Sequence, residues 1–261
     1  MVERTLYSCC PLCDSLNSID LLKGDCSNHS SYDSRISKLI QWKKCLDCQH
    51  IFTNGFYTKE SCEIIFSKTQ STQTVGDQIE DNRIVSSKIV DKVLPYQNDG
   101  TWLDVGFGNG SLLFTAQEYG FNPIGIDLRI ENVRILKSLK IDSHCLDLTE
   151  LVLDKKCNVI SMADVLEHMP FPRKGLSSAN KLLNTNGILF ISLPNTESIL
   201  WELMNEQNLN PYWDELEHYH NFSRTRLYNL LDEFGFKVMR YGISERYRAC
   251  MEIIATKSKD I

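Results

Sequence analysis

Long apolar runs are missing from this chain of 261 residues, and no stretch approaches the roughly 20 apolar residues that a membrane helix requires. The opening Met1-Val2-Glu3-Arg4-Thr5-Leu6-Tyr7-Ser8 lacks the extended apolar core of an export signal, so a cytoplasmic setting is expected. Positive charge is also in deficit: 28 basic residues stand against 34 acidic ones, for a formal net charge of −6. That sign is wrong for clamping the phosphates of a duplex, and no nucleic-acid partner is expected. With 13 glycines, 7 prolines and no internal repeat, collagenous, low-complexity and wholly disordered classes fall away. What remains, 42% hydrophobic and 24% charged, suits one sizeable α/β domain with a small appendage, or two modest domains.

Cysteine, by contrast, is plentiful. Six of the ten lie within residues 1–60: Cys9, Cys10, Cys13, Cys26, Cys45 and Cys48. In a reducing compartment such residues are buried or bind metal in preference to pairing as disulfides. Cys10-Pro11-Leu12-Cys13 and Cys45-Leu46-Asp47-Cys48 are two Cys-x-x-Cys knuckles, the spacing at which two turns deliver four thiolates to a tetrahedral structural Zn2+. Residues 14–44, 31 in number, separate them, so the intervening loop is an insertion that carries Cys26 and His29. Redox chemistry is open to one such knuckle, but two without a thioredoxin-like context favour a closed metal site. Charge over residues 1–60 balances at seven basic (Arg4, Lys23, Arg35, Lys38, Lys43, Lys44, Lys59) and seven acidic (Glu3, Asp14, Asp20, Asp25, Asp33, Asp47, Glu60), a poor RNA clamp.

Residues 61–83, polar from Ser67 onward, read as a linker or a lid. From residue 84 to 261 short apolar runs alternate with helical patterns. Trp102-Leu103-Asp104-Val105, Ile124-Gly125-Ile126, Val159-Ile160-Ser161-Met162 and Ile188 to Leu193 are the strands, which predicts an α/β fold with a parallel, doubly wound sheet. Phe236 to Tyr241 and Ala249 to Ala255 predict an antiparallel hairpin closing its edge.

Leu103-Asp104-Val105-Gly106-Phe107-Gly108-Asn109-Gly110 ends a strand and opens a helix, where glycines allow close backbone approach to a nucleotide-like ligand. A dinucleotide fingerprint has Gly-x-Gly-x-x-Gly; this loop has Gly-x-Gly-x-Gly with Asp104 two places ahead. A carboxylate there suits the ammonium and sulfonium of S-adenosylmethionine and repels a pyrophosphate. Asp127, ending the next strand, is spaced to accept ribose hydroxyls. Asp147 can meet the adenine amino group, with the Leu148 amide beside it for ring nitrogens.

With these residues the chain resembles the class I S-adenosylmethionine-dependent methyltransferases, above all the ubiquinone-biosynthesis O-methyltransferase-like branch. The matching segments are the glycine loop, Asp164-Val165-Leu166-Glu167-His168-Met169-Pro170, Leu182-Leu183-Asn184 to Gly187, Ile191-Ser192-Leu193-Pro194-Asn195, and Glu217-His218-Tyr219-His220-Asn221-Phe222-Ser223. The resemblance covers roughly residues 80 to 256. It implies a Rossmann-like seven-stranded sheet and a cofactor site lined by Gly106, Phe107, Gly108, Gly110, Asp127, Leu128, Asp147 and Asp164, with the Asp164 to His168 turn flanking the reacting methyl. Phe107 and Asn109 depart from the small residues common in this loop. The cysteine module resembles N-terminal zinc ribbons of certain bacterial methyltransferases, including those acting on sugars.

A protonated acceptor needs a base, and Glu167, His168, His218 and His220 are the candidates, since an imidazole titrates near neutrality. The same four could alternatively gather a divalent metal, or Glu167 and His168 could simply fix the loop after the fourth strand while His218 packs beneath the substrate pocket. Arg246 and Arg248 could meet an anionic acceptor or lie in a solvated turn. The expectation is methyl transfer to a small molecule, at oxygen, with a nucleotide-activated sugar or other polysaccharide or secondary-metabolite building block as the acceptor class. RNA or protein methylation with the ribbon as docking module, and a non-catalytic cofactor-binding protein, are the alternatives. The oligomeric state is left open.

Overall fold

The structure, a computed structural model, describes residues 4–66 and 71–261. Five short strands come first: β1 (Arg4–Leu6), β2 (Ser18–Asp25), β3 (Leu39–Cys45), β4 (Ile51–Thr53) and β5 (Gly55–Tyr57), followed by α1 (Lys59–Phe66). Strands and helices then alternate: α2 (Ile79–Val93), β6 (Thr101–Val105), α3 (Ser111–Glu118), β7 (Asn122–Ile126), α4 (Ile130–Ser138), β8 (Asp142–His144), β9 (Cys157–Ala163), α5 (Pro172–Leu182) and β10 (Leu183–Pro194). The last stretch holds α6 (Ile199–Glu206), β11 (His220–Asn221), α7 (Arg224–Glu233), β12 (Phe236–Ile243) and β13 (Cys250–Lys257).

Two compact units divide the chain discontinuously. A cysteine-rich unit takes Met1–Lys68, Glu167–Arg173 and Pro194–Leu230; a glycine-loop unit takes Thr69–Leu166, Lys174–Leu193 and Leu231–Ile261.

In the glycine-loop unit a seven-stranded sheet runs in the order β12-β13-β10-β9-β6-β7-β8. β6 pairs parallel with β7 on one side and β9 on the other, and β12 pairs antiparallel with β13, as the alternation and the C-terminal hairpin predict. The central strands are apolar runs because helices cover both faces. One core joins Trp102, Val159, Phe190 and Ile254 of the sheet to Ile89, Val90 and Val93 of α2 and to Leu112 and Ala116 of α3. Because strand order reverses at β6, the loop after it opens at the switch point where ligands of such sheets bind.

The cysteine-rich unit contains an antiparallel sheet of order β11-β4-β3-β2 and a β1-β5 pair. Its core draws on distant sequence: Cys26, Ile36, Ile40, Trp42, Tyr57 and Ile65 pack with Leu216 and Tyr219. The Trp42 indole N–H donates to the Trp213 carbonyl at 2.8 Å, and a Cβ on Gly24 would lie 1.9 Å from that same oxygen. Residues between Cys26 and Ile65 therefore share a core with the 213–219 stretch. Of the polar segment 61–83, residues 67–70 lie outside the described residues; Ser71–Gln73 form a 3-10 turn, and α2 starts at Ile79.

Candidate functional site

All three loop glycines adopt positive φ, +65° at Gly106, +53° at Gly108 and +81° at Gly110, which ordinary side chains resist. The Gly106 N–H donates to the Ile126 carbonyl at 2.8 Å, joining the turn to the end of β7. The Gly108 N–H donates to Asp127 Oδ2 at 3.1 Å, while the Arg129 N–H donates to Oδ1 at 2.8 Å. Asp127 is thus buried, held by two backbone amides and faced by the Arg129 guanidinium at 3.5 Å.

Asp104 sits beside it at the end of β6, 3% exposed. The Trp102 indole N–H donates to Ser161 Oγ at 2.8 Å, and that hydroxyl donates to Asp104 Oδ1 at 2.6 Å. Burial pushes the Asp104 carboxyl up to about 7, against the Ser161 hydrogen bond and the Arg246 charge, with Asp127 adding repulsion. Burial disfavours its charged form, which a neighbouring cation would favour.

The remaining predicted contacts divide. Asp147 uses Oδ1 to cap the turn after β8, accepting from the Thr149 N–H at 2.8 Å and its hydroxyl at 2.5 Å. Leu128 is exposed, whereas the Leu148 side chain is buried. Asp164, at φ +57°, follows β9 and accepts from Ser192 Oγ at 2.8 Å. Phe107 turns its side chain into the core. Its ring packs against Leu113, Val133, Leu136 and Ile141, its N–H points at the Ile126 carbonyl, and its carbonyl accepts from the Gly110 N–H. A large apolar ring at this position is core, so the departure from small residues is a packing feature.

Sequence reasoning missed three features here. Arg246, exposed in the turn after β12, places Nη1 3.2 Å from Asp164 Oδ2 and 3.3 Å from the Ala163 carbonyl, so the turn faces that carboxylate. Asn132 Nδ2 reaches both the Gln73 carbonyl at 2.8 Å and the Gly108 carbonyl at 3.2 Å. The Gly76 N–H donates to the Asn109 carbonyl at 3.0 Å, and Asn109 Nδ2 donates to the Asp77 carbonyl at 3.0 Å. Residues 73–77 therefore lie hydrogen-bonded on the glycine loop. The amide side chains at 109 and 132 were the available signal.

In the cysteine-rich unit, Glu167, His168 and His218 offer ligand or base atoms within 4.8 Å of one another. The His168 and His218 rings meet edge-on at 4.6 Å. His168 Nδ1 is 3.0 Å from the Glu217 carbonyl; a carbonyl only accepts, so Nδ1 carries a proton and Nε2 is left for exchange. Burial pushes His218 down to about 3, with His168 adding to the effect and Glu215 opposing it, so His218 is neutral at neutral pH. Glu215 in turn holds His29, Nε2 to Oε1, at 2.5 Å.

His220 does not join them, which corrects its place among the candidate bases. It is fully buried, its Nε2 donates to the Met169 carbonyl at 3.0 Å, and its Nδ1 lies 3.0 Å from His50 Nε2. With both nitrogens engaged and burial holding it down to about 3, it has no atom left for a substrate proton.

The four knuckle cysteines converge as their spacing predicts. Cys10 and Cys48 sulfurs are 3.6 Å apart, as are Cys13 and Cys45, and all four lie within 4.8 Å of one another. Tetrahedral zinc with bonds of about 2.3 Å requires sulfurs about 3.8 Å apart, so the set fits that ion. The knuckles match in backbone: the residue after each second cysteine, Asp14 and Gln49, has φ +58° and +61°. The Cys10 and Cys48 sulfurs are close enough to share a hydrogen bond, which holds the Cys48 thiol down and the Cys10 thiol up.

An α/β sheet with its glycine loop and buried acids at the switch point defines the architecture of class I S-adenosylmethionine-dependent methyltransferases. Residues 80–241 match the family described as Methyltransferase domain, more than half of the chain, and the protein belongs to that family. It is 32% identical over 123 residues to the ubiquinone biosynthesis O-methyltransferase of Pelagibacter ubique, covering 45% of this chain and 51% of that one. The chain spans about half the length of the curated relatives it matches. Among solved structures, the 1,6-didemethyltoxoflavin-N1-methyltransferase of Burkholderia thailandensis superposes with a TM-score of 0.59 at 16% identity, over 82% of this chain and 98% of that one. The magnesium protoporphyrin IX methyltransferase of Synechocystis, solved with bound S-adenosylhomocysteine, gives 0.53 at 20%, over 69% and 85%. At such identities these two establish the fold alone. No helix among the described residues is long and apolar enough to cross a membrane.

Proposed function

We propose that this protein transfers the methyl group of S-adenosylmethionine to an oxygen of a small-molecule acceptor. The observation that carries the reading is the convergence of three left-handed glycines with two buried carboxylates, Asp104 and Asp127, at the end of β6. Bound there, the donor supplies an electrophilic methyl on sulfonium sulfur. Asp104 answers its ammonium group, and Asp127, already oriented by the Gly108 and Arg129 amides, accepts the ribose hydroxyls. The Leu128 side chain and the Leu148 amide receive the adenine ring, with Asp147 at its amino group. Gly106, Gly108 and Gly110 let the backbone approach closely, and residues 73–77 cover the loop as a lid.

In-line displacement at carbon needs alignment and a dry environment above all. As the acceptor oxygen bonds to the methyl carbon, the carbon–sulfur bond breaks and S-adenosylhomocysteine leaves. His168 Nε2 takes the hydroxyl proton, its tautomer held by the Glu217 carbonyl, while His218 packs on its edge as a neutral ring. Glu167 fixes the turn. Residues 1–60 form the zinc ribbon, with Cys10, Cys13, Cys45 and Cys48 closing on Zn2+ as a structural ion, and residues 84–261 carry the transferase. A nucleotide-activated sugar or related building block is the proposed acceptor class, supported by the ribbon's resemblance to those of sugar-modifying methyltransferases. The setting is cytoplasmic, with no nucleic-acid partner.

The test is methyl-labelled S-adenosylmethionine with purified protein and a cell lysate split into small-molecule and macromolecule fractions. Label in a small metabolite is the expected result, lost in His168→Ala. Label confined to RNA or protein would overturn the acceptor class.

A further inference from the structure

Residues Glu167–Arg173 are a short stretch, yet three of their carbonyls and one of their side chains are gripped. The Glu167 carbonyl accepts from the Tyr219 N–H at 2.9 Å. The Met169 carbonyl accepts from His220 Nε2 at 3.0 Å, and the Pro170 carbonyl from the Tyr7 hydroxyl at 2.7 Å. Arg173 Nη1 donates outward to the Leu12 carbonyl at 2.8 Å.

Three of these grips lead back to the two cysteine knuckles. Leu12 lies inside Cys10–Cys13, and Tyr7 shortly precedes it. His50 follows Cys45–Cys48, and its carbonyl accepts from the Cys45 N–H at 2.9 Å. Since His220 donates from Nε2 to a carbonyl, its Nδ1 is the acceptor, and His50 Nε2 is the donor at 3.0 Å. The path from the second knuckle runs His50 to His220 to the Met169 carbonyl; that from the first runs Leu12 to Arg173. The two imidazoles are buried between Phe52 and Phe222, where an unmade hydrogen bond is expensive, so the links are stiff.

We propose that Tyr7, Arg173 and the His50–His220 pair are positioning residues through which the cysteine module sets the Glu167–His168 turn. The module's contribution is then geometric: it holds His168 where the Glu217 carbonyl selects the Nδ1–H tautomer, leaving Nε2 as the base. The proposal rests on the methyl-transfer reading only for the consequence in rate. A loosened turn lowers turnover while leaving donor binding, which belongs to the glycine loop, unchanged. Misplacement by about 1 Å is sufficient for losses near 100-fold.

The experiment compares full-length wild type, Tyr7→Phe, His220→Gln and His220→Leu. Phe keeps the ring and deletes one hydroxyl; Gln keeps a donor for Met169 and an acceptor for His50; Leu removes both. Two readouts do not depend on an acceptor: the His168 imidazole tautomer by 15N spectroscopy, and S-adenosylhomocysteine affinity by calorimetry. The third is the methylation rate with the small-molecule fraction. We expect the Nδ1–H tautomer in wild type and His220→Gln, and mixed tautomers in Tyr7→Phe and His220→Leu. The rate should fall about tenfold in the latter two, with donor affinity within twofold throughout. A purely structural role would lower thermal stability and leave the tautomer unmoved. Should His220→Leu fail to fold, Tyr7→Phe decides. Unmixed Nδ1–H in folded Tyr7→Phe overturns the proposal. Absence of transfer by wild type would instead overturn the methyl-transfer reading, with the tautomer comparison still judging the brace.

Discussion

The glycine-loop unit and the cysteine-rich unit solve the same problem, placing a few polar groups against a rigid frame, by opposite means. In the first, the decisive groups lie at the ends of successive strands, and backbone amides do the holding: Gly108 and Arg129 on Asp127, Ile126 on Gly106. In the second, three separate stretches of chain must come together, and side chains do the holding: Arg173 on Leu12, Tyr7 on Pro170, His220 on Met169. Backbone frames built by local sequence tolerate side-chain change; frames built from distant side chains do not. Loss of the cysteine cluster should therefore act first through folding, and loss of the switch-point acids first through ligand affinity.

The largest predicted effect breaks the second frame at its staple. Replacing Cys13 and Cys45 by Ser together should abolish stoichiometric zinc in elemental analysis and remove on the order of 10 kcal/mol of folding free energy, unfolding the cysteine-rich unit in a thermal melt. Next comes acid. His218 and His220 are held near 3 in the fold, against about 6.5 when unfolded. Below about pH 6.5 the unfolded chain takes up protons that the folded chain refuses, so stability falls with pH until the folded value near 3 is reached. Between pH 7 and 5 each imidazole should cost about 2 kcal/mol, seen as an early loss of near-ultraviolet circular dichroism. His220→Gln should reduce the pH dependence by about that amount.

The smallest effect belongs to the glycine-loop unit and has two signs. Asp104, raised from about 3.8 to about 7 by burial, makes the folded state bind a proton more tightly than the unfolded one, so its ionisation lowers stability as pH rises across that interval. Asp104→Asn should raise the melting temperature of the ligand-free protein by the equivalent of about 1 kcal/mol and weaken S-adenosylhomocysteine about tenfold. In wild type that affinity should fall below pH 7 as the carboxylate is protonated, and a flat profile from pH 8 to 6 would sharpen the distinction against Asp104.

The same contrast explains how much could be read in advance. The strand–helix alternation, the glycine loop, Asp104 and Asp127 are local patterns, and the sheet follows them. The convergence of the paired knuckles was legible because Cys-x-x-Cys spacing is also local. The misplaced residues are those whose meaning depends on distant partners. His220 looks like a base until His50, 170 residues earlier, closes on its ring, and Phe107 looks like a loop residue until α4 covers it. Arg246 could not be joined to Asp164 from sequence because hairpin turns carry no signal of what they face. Nor do residues 1–60 announce that Trp213 and Leu216 complete their core.

Calorimetry of S-adenosylhomocysteine binding to wild type and to Asp127→Ala tests the central claim most directly, because it addresses the switch-point acids without needing an acceptor. We predict saturable one-to-one binding by wild type, weakened about 100-fold in the variant through loss of the charged hydrogen bonds to ribose. Equal affinity in the two proteins, or no binding by folded wild type, would contradict it.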